Sequence, residues 1–276
     1  MQEFKMIKPQ LCTDIPEDDA LRRFSRPDVT GELKLDGVRT LIDITEEHGM
    51  IAYARTGRQF QHLFEMERMA TQIGLYNDCL LDGELITGEG KIADFPWVNG
   101  RVKITKYHKA VISAKDYPIR FVAFDILRWQ GKDVSQMDWI DRHNLLKEVW
   151  LASHKAFDMP YSGTLAEVVA YAHANGYEGV IVKEHYQKYR FGKRDWNRIK
   201  FTWELEVIAI AKTKPTGTRI NFGALTLSNG CNVGQGFTNK ELVDLDVIPM
   251  PFNIVIKHYG ILSEHMYRNP VYLRTV

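Results

Sequence analysis

The chain has 276 residues, 45% of them hydrophobic and 26% charged, with a formal charge of +1. That is the make-up of a globular chain with one large domain or two of moderate size, and it carries no global field for a nucleic acid, so any such surface must be local. Cys12, Cys79 and Cys231 form neither a disulfide framework nor a zinc spacing, MQEFKMIKPQL lacks the apolar core of a signal peptide, and no apolar run approaches membrane-spanning length. The expected setting is a reducing cytoplasm, with no membrane partner.

In chain order, residues 1 to 31 read as irregular, with a short helix near Asp18–Phe24. ELKLDGVR, from Glu32 to Arg39, follows. Asp36-Gly37 is a turn signal, so the run reads as strand, turn, strand, with Lys34 near the end of the first strand. Two readings stand at this point: an ordinary hairpin with solvated charges, or a turn that presents a nucleophilic lysine to a pocket. From Val38 the sequence alternates, placing Val38, Thr40, Ile42 and Ile44 on one face of a half-buried strand. IAYART (Ile51–Thr56) reads as the next strand. Leu63, Met66, Ala70 and Ile73 recur at helical spacing, with Gly74 as a C-terminal stop. CLLDGELI (Cys79–Ile86) is an apolar strand interrupted by acids. Residues 88 to 118 show no period, and Arg101 to Lys115 carries five lysines or arginines and no acid. RFVAFDIL (Arg120–Leu127) is a strand, and a helix is expected from about Asp138 to Ala152. Thr164-Leu-Ala-Glu167 is a capping box, heading a helix that Gly176 stops. GYEGVIVKE (Gly176–Glu184) reads as a strand. Lys183 to Lys200 holds seven lysines or arginines against two acids, interleaved with Tyr186, Tyr189, Phe191 and Trp196. A solvated basic face and a surface for a phosphate-rich ligand both fit that pattern.

After Thr202 the character changes. LEVIAIAK (Leu205–Lys212), GALTLSNGCNVG (Gly223–Gly234) and FNIVIKHYGI (Phe252–Ile261) read as strands, with a short helix in GFTNKELVDL (Gly236–Leu245). The expected fold class is α+β for residues 1–202, followed over residues 203–276 by a small all-β barrel of the OB-fold kind.

Lys34, Arg39, Arg55, Glu84, Glu178, Lys183 and Lys200 interrupt otherwise apolar strands, and each costs stability if buried alone. Together, five cations and two strand-borne carboxylates suit a polyphosphate and a divalent metal: carboxylates hold the metal and the cations hold phosphate. No Walker loop and no kinase-type glycine loop is present, so side chains rather than a backbone cradle must bind a nucleotide. In such a pocket a free Lys34 amine can attack an α-phosphorus and hold the nucleotide as a phosphoramidate.

ELKLDGVR resembles the KxDGxR signature of the covalent nucleotidyltransferases, which include ATP-dependent DNA ligases, RNA ligases and capping enzymes. Further motifs follow in that family's order: ARTG at Arg55, LDGEL at Glu84, FVAFDIL at Phe124, EGVIVK at Glu178 and YRFGKRDWNRIKF ending at Lys200. FGALTLSNGCNVGQGFTNKEL is similar to the ligase OB domain, and the resemblance runs from Lys8 through nearly all of the chain. It implies a minimal ATP-dependent DNA ligase: an adenylation domain of antiparallel sheets with flanking helices, then an OB domain. It implies a lysyl-AMP at Lys34, with Glu32 on the adenine and Phe124 stacked on it. Arg39, Arg55, Glu84, Lys183, Arg194 and Lys200 would hold sugar and phosphates. Glu84 and Glu178 would hold Mg²⁺ or Mn²⁺. Lys188, Arg190, Lys193, Arg198, Lys212 and Lys214 would meet nicked duplex DNA, and a monomer is expected.

Two departures from the family pattern stand out. The fifth motif has Arg198-Ile-Lys200 where lysine-x-lysine is usual. The OB domain of the family ends in an RxDK-like motif, whereas YRNPVYLRTV has no aspartate-lysine pair. Either Arg268, Arg274 or Lys212 substitutes, or self-adenylation is slow or uses another contact. An RNA ligase, a capping-type enzyme, and a nucleic-acid-binding protein without chemistry are the alternatives.

Overall fold

The computed structural model describes residues 7–74, 77–215, 217, 219, 221–263 and 266–276, in two compact units, 1–200 and 201–276. Unit 1 contains β1 (Leu11–Asp14), α1 (Glu17–Phe24), β2 (Val29–Lys34), β3 (Val38–Thr45), β4 (Gly49–Ala54), α2 (Phe64–Ile73), β5 (Cys79–Ile86), α3 (Phe95–Arg101), α4 (Tyr107–Asp116), β6 (Arg120–Trp129), β7 (Lys132–Asp133), α5 (Trp139–Ala152), β8 (Ser162–Gly163), α6 (Leu165–Ala174), β9 (Gly179–Glu184) and β10 (Arg194–Lys200). Its strands form two five-stranded sheets, ordered β1-β10-β9-β2-β8 and β4-β3-β5-β6-β7. Every pairing is antiparallel except that of β1 with β10.

The Asp36-Gly37 turn is not a hairpin. β2 pairs with β8 and β9, and β3 pairs with β4 and β5, so the turn carries the chain from one sheet to the other. Gly37 is demanded by the crossing: a Cβ there would lie 2.2 Å from the Leu85 carbonyl oxygen and 2.7 Å from Glu84 Cγ. The Asp36 N–H donates to the Gly90 carbonyl at 2.8 Å, which anchors the turn to the loop after β5.

The alternation of β3 does what its period requires. Ile42 and Ile44 are buried in a core shared with Met66, Met69 and Ile73 of α2, Val98 of α3, and Leu146 and Val149 of α5. On α5 the buried residues Trp139, Arg142, Leu146 and Val149 recur at spacings of three and four, as one helical face demands. The other sheet is backed by α6, whose Leu165 and Val168 approach to within 3.2 Å of where a Cβ on Gly31 would stand. The Thr164–Glu167 capping box is formed as the sequence indicates. A third cluster, containing Cys12, Leu41, Leu80, Leu127, Tyr189 and Trp196, joins the inner faces of the two sheets.

Three stretches differ from the sequence reading. Residues 1–6 of the N-terminal stretch lie outside the described residues. The helix expected near Asp18–Phe24 is present as α1, which buries Ala20 and Phe24, with acids in its first turn and Arg22 and Arg23 in its last, as the helix dipole favours; the departure is β1, which adds to the sheet edge. A four-residue strand whose partner lies about 180 residues away leaves no local period to read. Residues 88–118 contain α3 and α4. The Gly223–Gly234 run is two short paired strands rather than one.

Unit 2 contains β11 (Trp203–Lys212), β12 (Leu225–Leu227), β13 (Asn232–Val233), α7 (Asn239–Asp246), β14 (Phe252–His258), β15 (Ile261–Ser263), β16 (Met266–Tyr267) and β17 (Val271–Thr275). An antiparallel sheet ordered β13-β12-β11-β14-β17 packs a core of Ala209, Leu225, Leu227, Val233, Ile254 and Ile256 against Leu242 and Leu245 of α7. Among the described residues no helix is long and apolar enough to cross a membrane.

Candidate functional site

Residues directly opposite in an antiparallel pair share a face. The register Glu32–Ile181–Arg198 forms one row across β2, β9 and β10, and Lys34–Gly179–Lys200 forms the next. Gly179 has no side chain between the two lysines, and none would fit: a Cβ there would lie 2.0 Å from the Ile199 carbonyl oxygen. The facing sheet contributes Arg39 and Glu84, opposite each other on β3 and β5. A cavity opens between these faces. Its cationic lining is Lys34, Arg39, Arg55, Lys183 and Arg198, and its carboxylates are Glu32 and Glu84. The excess of cations suits an anionic ligand.

The Lys34 ammonium contacts a carboxylate oxygen of Glu178, and both side chains are largely shielded from water. Glu84 stands nearby with its carboxyl pushed up to about 7. Burial is the main cause, opposed by Lys34 and Arg39 and reinforced by Glu178. Arg39 is clamped by Asp82, its Nε and one terminal nitrogen each donating to a different carboxylate oxygen at 2.5 Å. Its guanidinium lies 4.4 Å from the centre of the Phe124 ring. Phe124 is half-buried, so it packs against the inter-sheet cluster and also lines the cavity. Lys200 has its pKa lowered, first by burial and then by Arg198.

Eight of the residues singled out from sequence (Glu32, Lys34, Arg39, Arg55, Glu84, Phe124, Lys183 and Arg198) thus line one cavity, and Glu178 touches it through Lys34. Arg194 does not line it. Its guanidinium donates to the Cys12 carbonyl at 3.0 Å. Of the residues read as DNA contacts, Lys188, Arg190, Lys193 and Lys214 are exposed. Lys188 pairs with Asp138 at 2.6 Å and Arg190 with Asp195 at 3.2 Å. Arg198 contacts Asp14 and faces the cavity. The Lys212 ammonium donates to the carbonyls of Asp246 and Ile248 at 2.8 and 2.9 Å, which fastens the C-terminal end of α7. Arg274 lies 3.5 Å from Glu204.

Sequence reasoning missed four contributors. Asp82 is fully buried, holds Arg39 and accepts from the Tyr189 hydroxyl at 2.6 Å. Arg142 and Asp125 form a fully buried two-point pair at 2.7 and 2.8 Å, which ties α5 to β6. His143 stands beside Glu32. Asp82 had a signal: it sits two residues before Glu84 on one strand, hence on the same face. The others are set by contacts distant in sequence.

Among the described residues no group of three or more histidine, cysteine, aspartate or glutamate side chains is arranged to hold a metal. Glu84 and Glu178 nonetheless fit a hydrated divalent cation, which takes its remaining ligands from water and phosphate oxygens. The Glu84 carboxyl is raised mainly by burial, with Glu178 and Asp82 adding to the rise and Lys34 and Arg39 opposing it, and a bound cation would favour its ionised form.

Comparison with known proteins adds to this geometry. Residues 9–201 match the family model for the ATP dependent DNA ligase domain. The multifunctional non-homologous end joining protein LigD of Pseudomonas aeruginosa is 29% identical over 228 residues, 76% of this chain and 26% of that protein. A Lig E DNA ligase structure, described as DNA binding with a minimal scaffold, superposes with a TM-score of 0.72 at 19% identity, covering 97% of this chain and 99% of that one. A mycobacterial DNA ligase D complexed with ATP and MES gives 0.61 at 20% identity, covering 99% and 96%. At these identities the two structures show a shared fold. The chain spans less than half the length of the curated relatives it first matches.

Proposed function

This chain belongs to the ATP-dependent DNA ligase family, and from that premise we propose that it seals nicks in duplex DNA through a covalent adenylate on Lys34. The observation that carries the reading is the placement of Lys34: its amine ends in a cation-lined cavity, against one carboxylate and beside another. Each step is phosphoryl transfer, so catalysis is positioning and charge stabilisation. The Lys34 amine, having given up its proton, attacks the α-phosphorus of ATP. A P–N bond forms, the α–β P–O bond breaks, and pyrophosphate leaves with the electron pair. A 5′-phosphate oxygen at the nick then attacks the same phosphorus and the P–N bond breaks. The 3′-hydroxyl finally attacks the DNA phosphorus, loses its proton, and AMP departs.

In this reading Glu32 meets the adenine edge and Phe124 its face. Arg39 and Arg55 hold sugar and α-phosphate, and Lys183 and Lys200 take phosphate charge; Arg194 joins them only after releasing the Cys12 carbonyl. Asp82 and Tyr189 hold Arg39 in place. Glu178, in contact with the Lys34 amine, is the nearest group to accept its proton. Glu84 and Glu178 hold Mg²⁺ or Mn²⁺, which supplies Lewis-acid neutralisation of phosphate charge when bound. Unit 2 is read as an OB-fold, and the protein as a monomer. Exposed lysines and arginines on the segment between β9 and β10 (Lys188, Arg190, Lys193), with Lys214 in unit 2, grip the duplex backbone.

The test is a mass spectrum. Purified protein given ATP and Mg²⁺ is expected to gain one AMP, to lose it on addition of nicked DNA, and Lys34→Ala to gain none. An adenylate persisting in Lys34→Ala would move the nucleophile elsewhere.

A further inference from the structure

Glu32 is 2% exposed, yet its Oε1 has no hydrogen-bond partner among the described residues. The other oxygen has the Lys183 ammonium at 3.3 Å. That ammonium also lacks a hydrogen bond and rests 3.4 Å from the centre of the Trp196 ring. On the far side of Glu32, His143 Nδ1 stands 3.9 Å from Oε1, again without a hydrogen-bond partner. Three buried polar groups from β2, β9 and α5 therefore converge: Lys183 is ion-paired to one Glu32 oxygen, while the other Glu32 oxygen and His143 Nδ1 have no hydrogen bond among the described residues. Each left so costs stability, and a cluster of them marks a place that a ligand completes.

The cluster is held firmly. The His143 ring packs against Trp139 with centroids 4.8 Å apart. Its chain neighbour Arg142 is locked to Asp125 by two hydrogen bonds. His143 therefore cannot swing away from Glu32 without disturbing α5. Its pKa is lowered to about 4, by burial first and then by Lys183, so the imidazole is neutral near pH 7 and presents one N–H. Asp125 opposes that lowering, while Lys147 and His185 add to it. Burial raises the Glu32 carboxyl, against the pull of Lys183 and Arg39 and with that of Asp125.

Glu32 lines the same cavity as Phe124, so its carboxylate borders a base seated against that ring. An ionised carboxylate can only accept, and so matches the exocyclic amine of adenine. Guanine offers a carbonyl at that edge, and two acceptors would face each other. Deepening the reading of this cavity as the ATP site, we propose that His143 is a positioning residue for purine choice: with Lys183 on the opposite oxygen, its N–H holds the Glu32 carboxylate as an acceptor aimed at adenine. A closing movement of about one ångström turns the 3.9 Å approach into a hydrogen bond when the base binds.

The experiment is covalent label transfer to wild type, His143→Leu and His143→Gln from labelled ATP and labelled GTP, each over a range of nucleotide concentration. A site built to hydrogen-bond one substrate group rejects by large factors an analogue that leaves its buried polar groups unpaired. The leucine variant is expected to lower the ATP-to-GTP ratio of kcat/KM at least ~10-fold, mainly through KM for ATP. Glutamine keeps a neutral N–H and is expected to hold the ratio within ~3-fold of wild type. His143→Met, similar in bulk to leucine, carries the leucine expectation should leucine disturb α5. An unchanged ratio in the leucine and methionine variants, or a glutamine variant as unselective as leucine, overturns the proposal. A wild type that takes label from neither nucleotide would instead overturn the ligase reading beneath it.

Discussion

The Glu84 carboxyl is the residue on which binding and stability pull in opposite directions. Burial between the sheets lifts it from 4.5 to about 7. Between those values the folded chain keeps a proton that the unfolded chain has released, so the contribution of Glu84 to stability is complete below about 4.5 and is lost as pH rises through about 7. In the presence of a chelator, melting followed by circular dichroism should therefore fall by about a few degrees more in wild type than in Glu84→Gln as pH is raised across this interval. Other carboxylates contribute equally to both proteins, so the difference isolates Glu84. Mg²⁺ favours the ionised form, and its stabilising effect should grow with pH and shrink in the variant. Parallel curves would remove Glu84 from the metal reading. Glu84, like Lys34 and Arg39, was legible in the sequence because a charge inside an apolar strand needs a reason. Asp82 and its partner Tyr189 were not paired by sequence reasoning, since they meet across 107 positions. Nothing local announces such a contact.

At the scale of elements, the sequence carried most strand and helix positions, because periods of two and 3.6 and the Thr164 capping box are local signals. It did not carry which strands pair. The Glu32–Arg39 run reads as strand, turn, strand, and that the turn crosses between sheets instead of closing a hairpin is decided by partners more than forty residues away. Two glycines record that choice. Gly37 admits the close pass of the turn over β5, and Gly179 admits β10 beside it. Alanine at either position drives a Cβ to 2.2 or 2.0 Å from a backbone oxygen that belongs to a paired strand and cannot yield cheaply. Gly37→Ala and Gly179→Ala should each cost about 2 kcal/mol or more, read as a lowered urea midpoint. A change confined to activity, with the midpoint unmoved, would show that the strands give way more easily than their pairing implies. Alanine at Gly49, where nothing lies within 4 Å but φ is +71°, provides the contrast of a purely conformational cost.

At the scale of the whole molecule, a formal charge of +1 hides strong local separation. Cations gather in the cavity and on exposed segments, and unit 1 carries one such segment that sequence periodicity could not resolve. The only buried residue of α4 is Ala110, too small to mark an apolar stripe. Of the five cations between Arg101 and Lys115, Arg101 is structural: fully buried, it donates to the His62 carbonyl at 2.8 Å and to Glu65 at 3.2 Å. Lys103, Lys106, Lys109 and Lys115 remain exposed. If this face shares in gripping duplex DNA, each phosphate it neutralises adds about 0.9 to the salt slope of binding. Replacing the four lysines with glutamine should weaken binding to nicked DNA similarly for unrelated sequences and flatten that slope by one or more units. Self-adenylation should stay at the wild-type rate, because none of the four lines the nucleotide cavity. Fluorescence anisotropy with a labelled nicked duplex over a salt series measures the slope, and label transfer from ATP supplies the control. An unchanged slope would leave backbone contact to the segment between β9 and β10, where Lys188 and Arg190 must first leave Asp138 and Asp195 to reach a phosphate.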